Sequence, residues 1–198
     1  MKPSKSAIIL ASSSIYRRQL LHKLQLPFSW QSPAIDETPQ AGETAKELVK
    51  RLSISKAQAI AAQYKQQACL VIGSDQVAVF NDTILGKPLN HEAAVAQLLQ
   101  CSGQSVRFLT GLCLIDCKTD NIRYCTERFT VHFRQLQAAH IERYLLQDKP
   151  YNCAGSFKAE GLGITLFSRM QGNDPNSLIG LPLIQLVSFL EECGYPVL

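Results

Sequence analysis

No stretch of this sequence approaches the ~18 consecutive apolar residues of a transmembrane helix, so no membrane span is expected. Dense runs of lysine and arginine are also missing. The net charge of +4 is mild, which leaves room for an anionic ligand but does not mark a nucleic-acid groove. There is no CxxC pair, and the seven cysteines are odd in number and sit mostly in apolar runs. That usage points to reduced, buried thiols in a cytosolic protein and argues against a disulfide framework or a zinc site; Cys113 and Cys117 are expected on one strand with no histidine near them. The first ten residues carry only a short apolar run with no small-residue cleavage pattern after it, so no signal peptide is expected and a cytoplasmic location is. Neither a complete GxxxxGK[ST] phosphate loop nor a GxGxxG dinucleotide fingerprint occurs, and no internal repeat or low-complexity linker divides the chain.

What is present is enough apolar sequence, 46%, to bury a proper core in a chain of 198 residues, as one domain or two small lobes. The chain is organised around Val71-Ile72-Gly73-Ser74-Asp75-Gln76-Val77. A β-branched run ends in Gly-Ser-Asp, and a second run, Val77–Phe80, follows. This predicts a buried strand that delivers Asp75 at its end, at the lip of a sheet where ligands of α/β proteins bind. Taken alone, an acidic residue after a strand is more often a turn or helix cap, and the site reading of Asp75 gains weight because basic and acidic residues recur at comparable positions elsewhere in the chain.

Residues 7–11 predict a buried first strand. Ser12-Ser13-Ser14 break it, and Ser14 can cap a helix running to about residue 24. A strand, a hydroxyl-rich turn and a helix N-terminus make a natural phosphate seat. Arg17 and Arg18 in the first helical turn oppose the helix dipole, a cost that an anion offsets; two solvated arginines are the competing reading. A strand at 28–31 leads to Asp36-Glu37 before Pro39, either an exposed turn or a metal-facing loop. Thr44-Ala45-Lys46-Glu47 reads as a capping box that opens a helix to about residue 63, and this helix carries Lys56 among small residues. A turn at Asn81-Asp82 precedes Gly86-Lys87-Pro88, a lysine on a stiff loop suited to phosphate. Further on, the pattern predicts a helix over 90–100, an antiparallel hairpin over 106–133, and a helix over 137–147 with Ile141, Tyr144 and Leu145 inward. A Gly-rich stretch over 154–163, a turn at 173–176 and a last helix from Pro182 to Gly194 complete the chain.

Cations for a polyphosphate and carboxylates for a metal or for water activation come from five segments: Arg17, Glu37, Lys56, Asp75 and Lys87. Composition and spacing carry the reading no further than a phosphate enzyme.

The motifs carry it further. Ser12-Ser-Ser14-Ile-Tyr-Arg17, Asp36-Glu37, Lys56, Gly73-Ser-Asp75-Gln76, Gly86-Lys87-Pro88 and Gly180-Leu-Pro182 follow the order found in the Maf-like nucleoside triphosphate pyrophosphatases, and the chain resembles that family over nearly its whole length. Ile15 stands where the family often has proline. The stretch Ala154–Gly163 looks like the 7-methyl-GTP-directed branch more than the dTTP/UTP branch. The resemblance implies an α/β, Maf/ITPase-like fold in a single domain over 1–198: a mixed, twisted sheet flanked by helices, with two lobes around a deep cleft. It implies cleavage between the α and β phosphates to give a nucleoside monophosphate and pyrophosphate. Asp75 is then the proton acceptor. Ser12, Ser14, Arg17, Lys56 and Lys87 hold the phosphates. Glu37 lies near metal or water, and Glu37 with Asp75 forms the candidate ligand pair for a divalent cation, Mg2+ or Mn2+. Tyr16, Gln76 and Glu160 match the positions that choose the base. The resemblance leaves open the same chemistry on dTTP, UTP or other nucleotides, and a non-enzymatic role in regulating cell division. It also allows a homodimer.

Overall fold

A computed structural model describes residues 6–198. In chain order the elements are β1 (Ala7–Ala11), α1 (Ile15–His22), β2 (Phe28–Gln31), α2 (Ala45–Ala61), β3 (Cys69–Phe80), β4 (Thr83–Leu85), α3 (His91–Cys101), β5 (Ser105–Asp116), β6 (Asn121–Phe133), α4 (Ala138–Asp148), β7 (Phe167–Gln171), α5 (Pro175–Ile179) and α6 (Leu183–Glu192). The strands form a seven-stranded sheet in the order β2-β1-β3-β5-β6-β7, with β4 beside β3. Pairing is mixed: β1 is parallel to both β2 and β3, whereas β4 and β7 run antiparallel to β3 and β6. Among the described residues no helix is long and apolar enough to cross a membrane.

The chain divides into two compact units. The first takes the chain up to Gln76, with Thr110–Glu127 and Gly180–Leu198; the second takes Val77–Leu109 and Arg128–Ile179. The long strands β3, β5 and β6 contribute residues to both.

In the first unit β1 lies between β2 and β3, so the chain leaves β1 toward one neighbour and later returns on the other side. The carboxyl end of such a strand is a topological switch point, where open α/β sheets receive ligands. The helix α2 follows its own sequence closely. Thr44 Oγ1 accepts from Glu47 N, and Glu47 Oε2 accepts from Thr44 N at 2.9 Å, which satisfies two orphan donors reciprocally. Its buried face carries Val49, Leu52, Ser53, Lys56, Ala57 and Ile60. Small residues there meet glycines on the sheet. A Cβ at Gly73 would overlap Ser53 O and lie 2.8 Å from Ala57 Cβ; one at Gly111 would overlap Ser53 Oγ and lie 2.7 Å from Val49 Cγ1. Below this contact Ile9, Val71, Cys113 and Ile115 form an apolar cluster with Ala57 and Ile60.

The second unit is held by aromatic packing. Phe157 meets Phe108, Phe133 and Phe167 edge-on at centroid distances of 5.3, 5.9 and 4.8 Å. α3 contributes Ala94, Leu98 and Cys101 to this core, and α4 contributes Ile141, Tyr144 and Leu145, the three inward positions that its periodicity predicted.

Three readings of the sequence need correction. Asp75 does not end a strand: β3 runs unbroken from Cys69 to Phe80, and Asp75 lies buried in its middle. The polar Gly-Ser-Asp-Gln run looked like a break because its partners are non-local. Cys117 lies one residue beyond β5, not on the same strand as Cys113. The short strands β4 and β7 were not foreseen, being too brief or too exposed to show a pattern of their own. The seven cysteines are free thiols. Burial pushes Cys69 and Cys113 up to about 12, which keeps them protonated and unreactive near neutral pH.

The close approach of α2 to the sheet is testable. Gly111→Ala forces a methyl into Val49 and Ser53 and should lower stability by about 1–3 kcal/mol, read as a shift of the urea midpoint. Gly86→Ala, where a Cβ meets open space, should stay within about 0.5 kcal/mol of the parent. Equal midpoints for all three proteins would contradict the packing described.

Candidate active site

The site in the first unit starts at the end of β1. Ala11 is in register with Gly73, so the chain enters the Ser12–Ser14 turn beside the Ser74-Asp75 segment. Ser12 Oγ accepts from Ser14 N at 3.1 Å, and Ser14 Oγ caps α1 by accepting from Arg17 N. Both hydroxyls organise the turn as acceptors, and a hydroxyl that accepts still carries one O–H to donate. The strand, the hydroxyl-rich turn and the helix N-terminus thus follow one another in the order on which the expectation of a phosphate seat rests.

The two arginines of α1 part company. Arg17 Nε donates to Gly180 O at 2.8 Å. Burial pushes the Arg17 guanidinium below its ordinary value, while Asp75 and Glu37 push it back up. Arg18 instead lies over the Trp30 ring, 4.7 Å from its centroid, with Nε buried and without a hydrogen-bond partner among the described residues.

Lys56 occupies the centre. It sits on the buried face of α2, and its Nζ lies 2.7 Å from Asp75 Oδ1 and 2.9 Å from Glu37 Oε1. Lys56 and Asp75 are buried, whereas Glu37 is 56% exposed. One ammonium thus gathers a carboxylate from the middle of β3 and another from the loop after β2. Each ion pair uses one oxygen of its carboxylate.

Ser74 and Gly180 brace this arrangement. Ser74 is fully buried, and its Oγ lies 2.7 Å from Gly111 O and 2.9 Å from Gly180 O, sharing one hydroxyl hydrogen between two carbonyls. Gly180 has φ +124°, a left-handed conformation that disfavours a side chain, and its carbonyl receives Arg17 as well. Gln76, the next inward position, donates through Nε2 to Thr110 Oγ1 at 2.8 Å. The loop carrying Glu37 is tied down by Arg51, which bonds Glu43 through two nitrogens at 2.6 and 2.8 Å and reaches Thr38 O at 3.0 Å. Those bonds hold the Glu43 carboxyl at about 2, well below its usual range.

Of the residues singled out from the sequence, Ser12, Ser14, Tyr16, Arg17, Glu37, Lys56, Asp75 and Gln76 belong to the first unit, and the structure brings Glu37, Lys56 and Asp75 into direct contact. Tyr16 is half-buried in the first turn of α1. Lys87 and Glu160 belong to the second unit. Lys87 is exposed in the loop between β4 and α3, and Glu160 is exposed on a turn that Gly161 N closes onto Lys158 O. Sequence reasoning passed over Ser74, Thr110, Gly111 and the Arg51–Glu43 pair as structural members. Their partners lie 8 to 106 residues away, and no local pattern reports them.

No group of three or more metal-binding side chains occurs among the described residues. Two carboxylates still suit magnesium, which binds through one or two carboxylates plus substrate phosphates, and Glu37 and Asp75 supply hard oxygen donors of that kind.

Comparison with known proteins bears on the fold and the family. The structure resembles the Staphylococcus aureus Ham1 protein at a TM-score of 0.52, covering 94% of this chain and 98% of that one; at 16% identity the likeness speaks for the fold alone. A protein of Pseudomonas aeruginosa named 7-methyl-GTP pyrophosphatase is 55% identical over 96% of this chain and 98% of its own length. One of the same name from Colwellia psychrerythraea is 52% identical over 96% of this chain and 94% of its own length. The family model described as Maf-like protein matches residues 7–193, and with relatives this similar over nearly their full length, the chain belongs to the Maf family of nucleotide pyrophosphatases.

Proposed function

We propose that this protein hydrolyses 7-methyl-GTP between its α and β phosphates, giving 7-methyl-GMP and pyrophosphate. The observation that carries the reading is Lys56, a buried ammonium held between Asp75 and Glu37 beside a helix-capping phosphate seat. A protein that only bound its partner, such as a regulator of division, has no need of two carboxylates gathered on one cation. The substrate that the relatives are named for supports the choice of nucleotide.

In this reading the O–H groups of Ser12 and Ser14, the α1 N-terminus and Arg17 hold phosphate oxygens. Asp75 accepts the proton of the attacking water, and Lys56 on Oδ1 holds its carboxylate in one orientation. A divalent cation, Mg2+ or Mn2+, held by Glu37 and Asp75 would neutralise charge on the phosphates. Lys87 adds a further cation, a role that rests on the family resemblance. So do the roles in base choice. N7 methylation leaves guanine with a delocalised positive charge, which stacks on an aromatic face such as Tyr16. Glu160 can accept from N1–H and N2–H together, and Gln76 can both donate and accept. The free thiols suit a reducing cytoplasm.

The test is pyrophosphate release from 7-methyl-GTP, GTP, UTP and dTTP with magnesium. The parent should prefer 7-methyl-GTP, and Tyr16→Arg and Glu160→Gln should erode that preference. Equal rates on all four nucleotides would remove the base reading and leave the pyrophosphatase. Asp75→Asn should lower kcat by ~10²–10⁴-fold while nucleotide binding persists, since the amide keeps the shape and loses the base. Near-parent turnover would reduce Asp75 to a structural partner of Lys56.

The two lysines should separate by their burial. Lys56→Ala strands a buried carboxylate, so it should cost stability as well as activity, toward the lower end of about 3–5 kcal/mol because Glu37 is solvated. Lys87→Ala should lower kcat/KM with the melting temperature unchanged, because Lys87 is exposed. A stability loss confined to Lys87→Ala would contradict both assignments.

A further inference from the structure

The loop that presents Lys87 is anchored from outside itself, by a residue on α3. Gln97 Nε2 donates to Gly86 O at 2.9 Å, and Gln97 Oε1 accepts from Ser156 Oγ at 2.5 Å. The chemistry fixes the orientation of the amide. A carbonyl can only accept, so the NH2 end must face Gly86, and the oxygen is then left for the one hydroxyl that can donate to it. Both ends of one side chain are thereby used, and they join the carbonyl that immediately precedes Lys87 to the Gly-rich stretch that bears Glu160.

The surroundings fit a part whose position matters. Ser156 is fully buried and holds φ +61°, a left-handed conformation uncommon for a residue with a side chain, directly after Gly155 at φ +77°. The far end of the Lys87 loop is pinned too: Leu89, at φ +64°, donates its N–H to Tyr151 O at 2.9 Å. Between the pins lie only Lys87 and Pro88, and proline has no N–H of its own to bond. Lys87 is exposed, and none of the salt bridges among the described residues involves its ammonium. Its placement therefore depends on the backbone, and on Gln97 at the nearer end. Gln97 lies at i+3 and i−4 from Ala94 and Cys101, on the flank of the buried stripe of α3, so its own backbone is rigidly seated.

We infer that Gln97 is a positioning residue for Lys87, holding its loop in register with the stretch over 154–163. The inference rests on the phosphate role proposed for Lys87. It calls for an amide of this length. Glutamate keeps the bond from Ser156 but sets a carboxylate oxygen against Gly86 O, and methionine keeps the length but makes neither bond.

The experiment is a double-mutant cycle in the full-length protein, following pyrophosphate release from 7-methyl-GTP with magnesium. Gln97→Glu and Gln97→Met should each lower kcat/KM by ~10–100-fold, the scale of a misplaced catalytic group, while the melting temperature stays near the parent's. In a Lys87→Ala background the same changes should cost less than about twofold more, because there is no ammonium left to misplace. Ser156→Ala, which cuts only the far bond, should give a smaller loss that also vanishes in that background, and it serves if a Gln97 variant fails to fold. Losses that multiply fully with Lys87→Ala, or parent-like kinetics in folded Gln97 and Ser156 variants, overturn the inference while the role of Lys87 stands. Parent-like kinetics in Lys87→Ala itself would instead remove the role of Lys87, and the positioning argument with it.

Discussion

The burial of one ammonium governs the first unit. Lys56 cannot sit on the sheet-facing side of α2 without counter-charge, because a desolvated cation without partners is costly. Asp75 and Glu37 supply that charge at 2.7 and 2.9 Å. The pairing has consequences for each partner. Asp75 can lie buried in the middle of β3 only because Lys56 meets it there, and the loop after β2 is drawn toward the sheet through Glu37. Buried ion pairs are weak evidence for stability, since desolvation offsets much of the attraction. Their retention here is better understood through geometry: a carboxylate held on one oxygen by a fixed cation has a defined direction.

Such a pairing requires α2 to approach the sheet closely, and small side chains make that approach. Ser53 and Ala57 on the helix face Gly73 and Gly111 on the strands, where no Cβ could fit. Ser74 then ties β3 to β5 through Gly111 O and to the segment before α6 through Gly180 O. Gly180 O also receives Arg17 from α1. One carbonyl thus fixes Arg17 relative to the strand that carries Asp75. Ser74 and Arg17 are held by hydrogen bonds to backbone carbonyls.

The second unit solves a different problem. Lys87 and Glu160 are exposed, so no burial constrains their side chains, and their loops carry the order. Leu89, Gly155 and Ser156 hold left-handed backbone, and bonds to Tyr151 O and Tyr144 Oη and from Gln97 Nε2 secure the segments around them. Lys158 Nζ adds a bond to Asp148 O, which stitches the Gly-rich stretch to the end of α4. Exposed charges on stiff loops can meet a ligand without first shedding a buried partner.

Local sequence determined most of the elements. The capping box at Thr44 and Glu47, the cap at Ser14, the hairpin of β5 and β6, and the inward face of α4 all follow from patterns a few residues long, because capping and periodicity act over that range. The motifs also named the residues that the structure gathers around Lys56. Other features could not be read in this way. The polar Gly-Ser-Asp-Gln run resembled the end of a strand, yet it continues as strand because Ser74, Asp75 and Gln76 find Gly111, Lys56 and Thr110, none nearer than 19 residues away. Gln97 looked like one more polar helix residue. Its two bonds depend on partners 11 residues back and 59 ahead, and only the folded chain brings a carbonyl and a hydroxyl to the two ends of its amide. A hydrogen bond is decided by distances of about 3 Å, which sequence separation does not encode once the chain has folded back on itself.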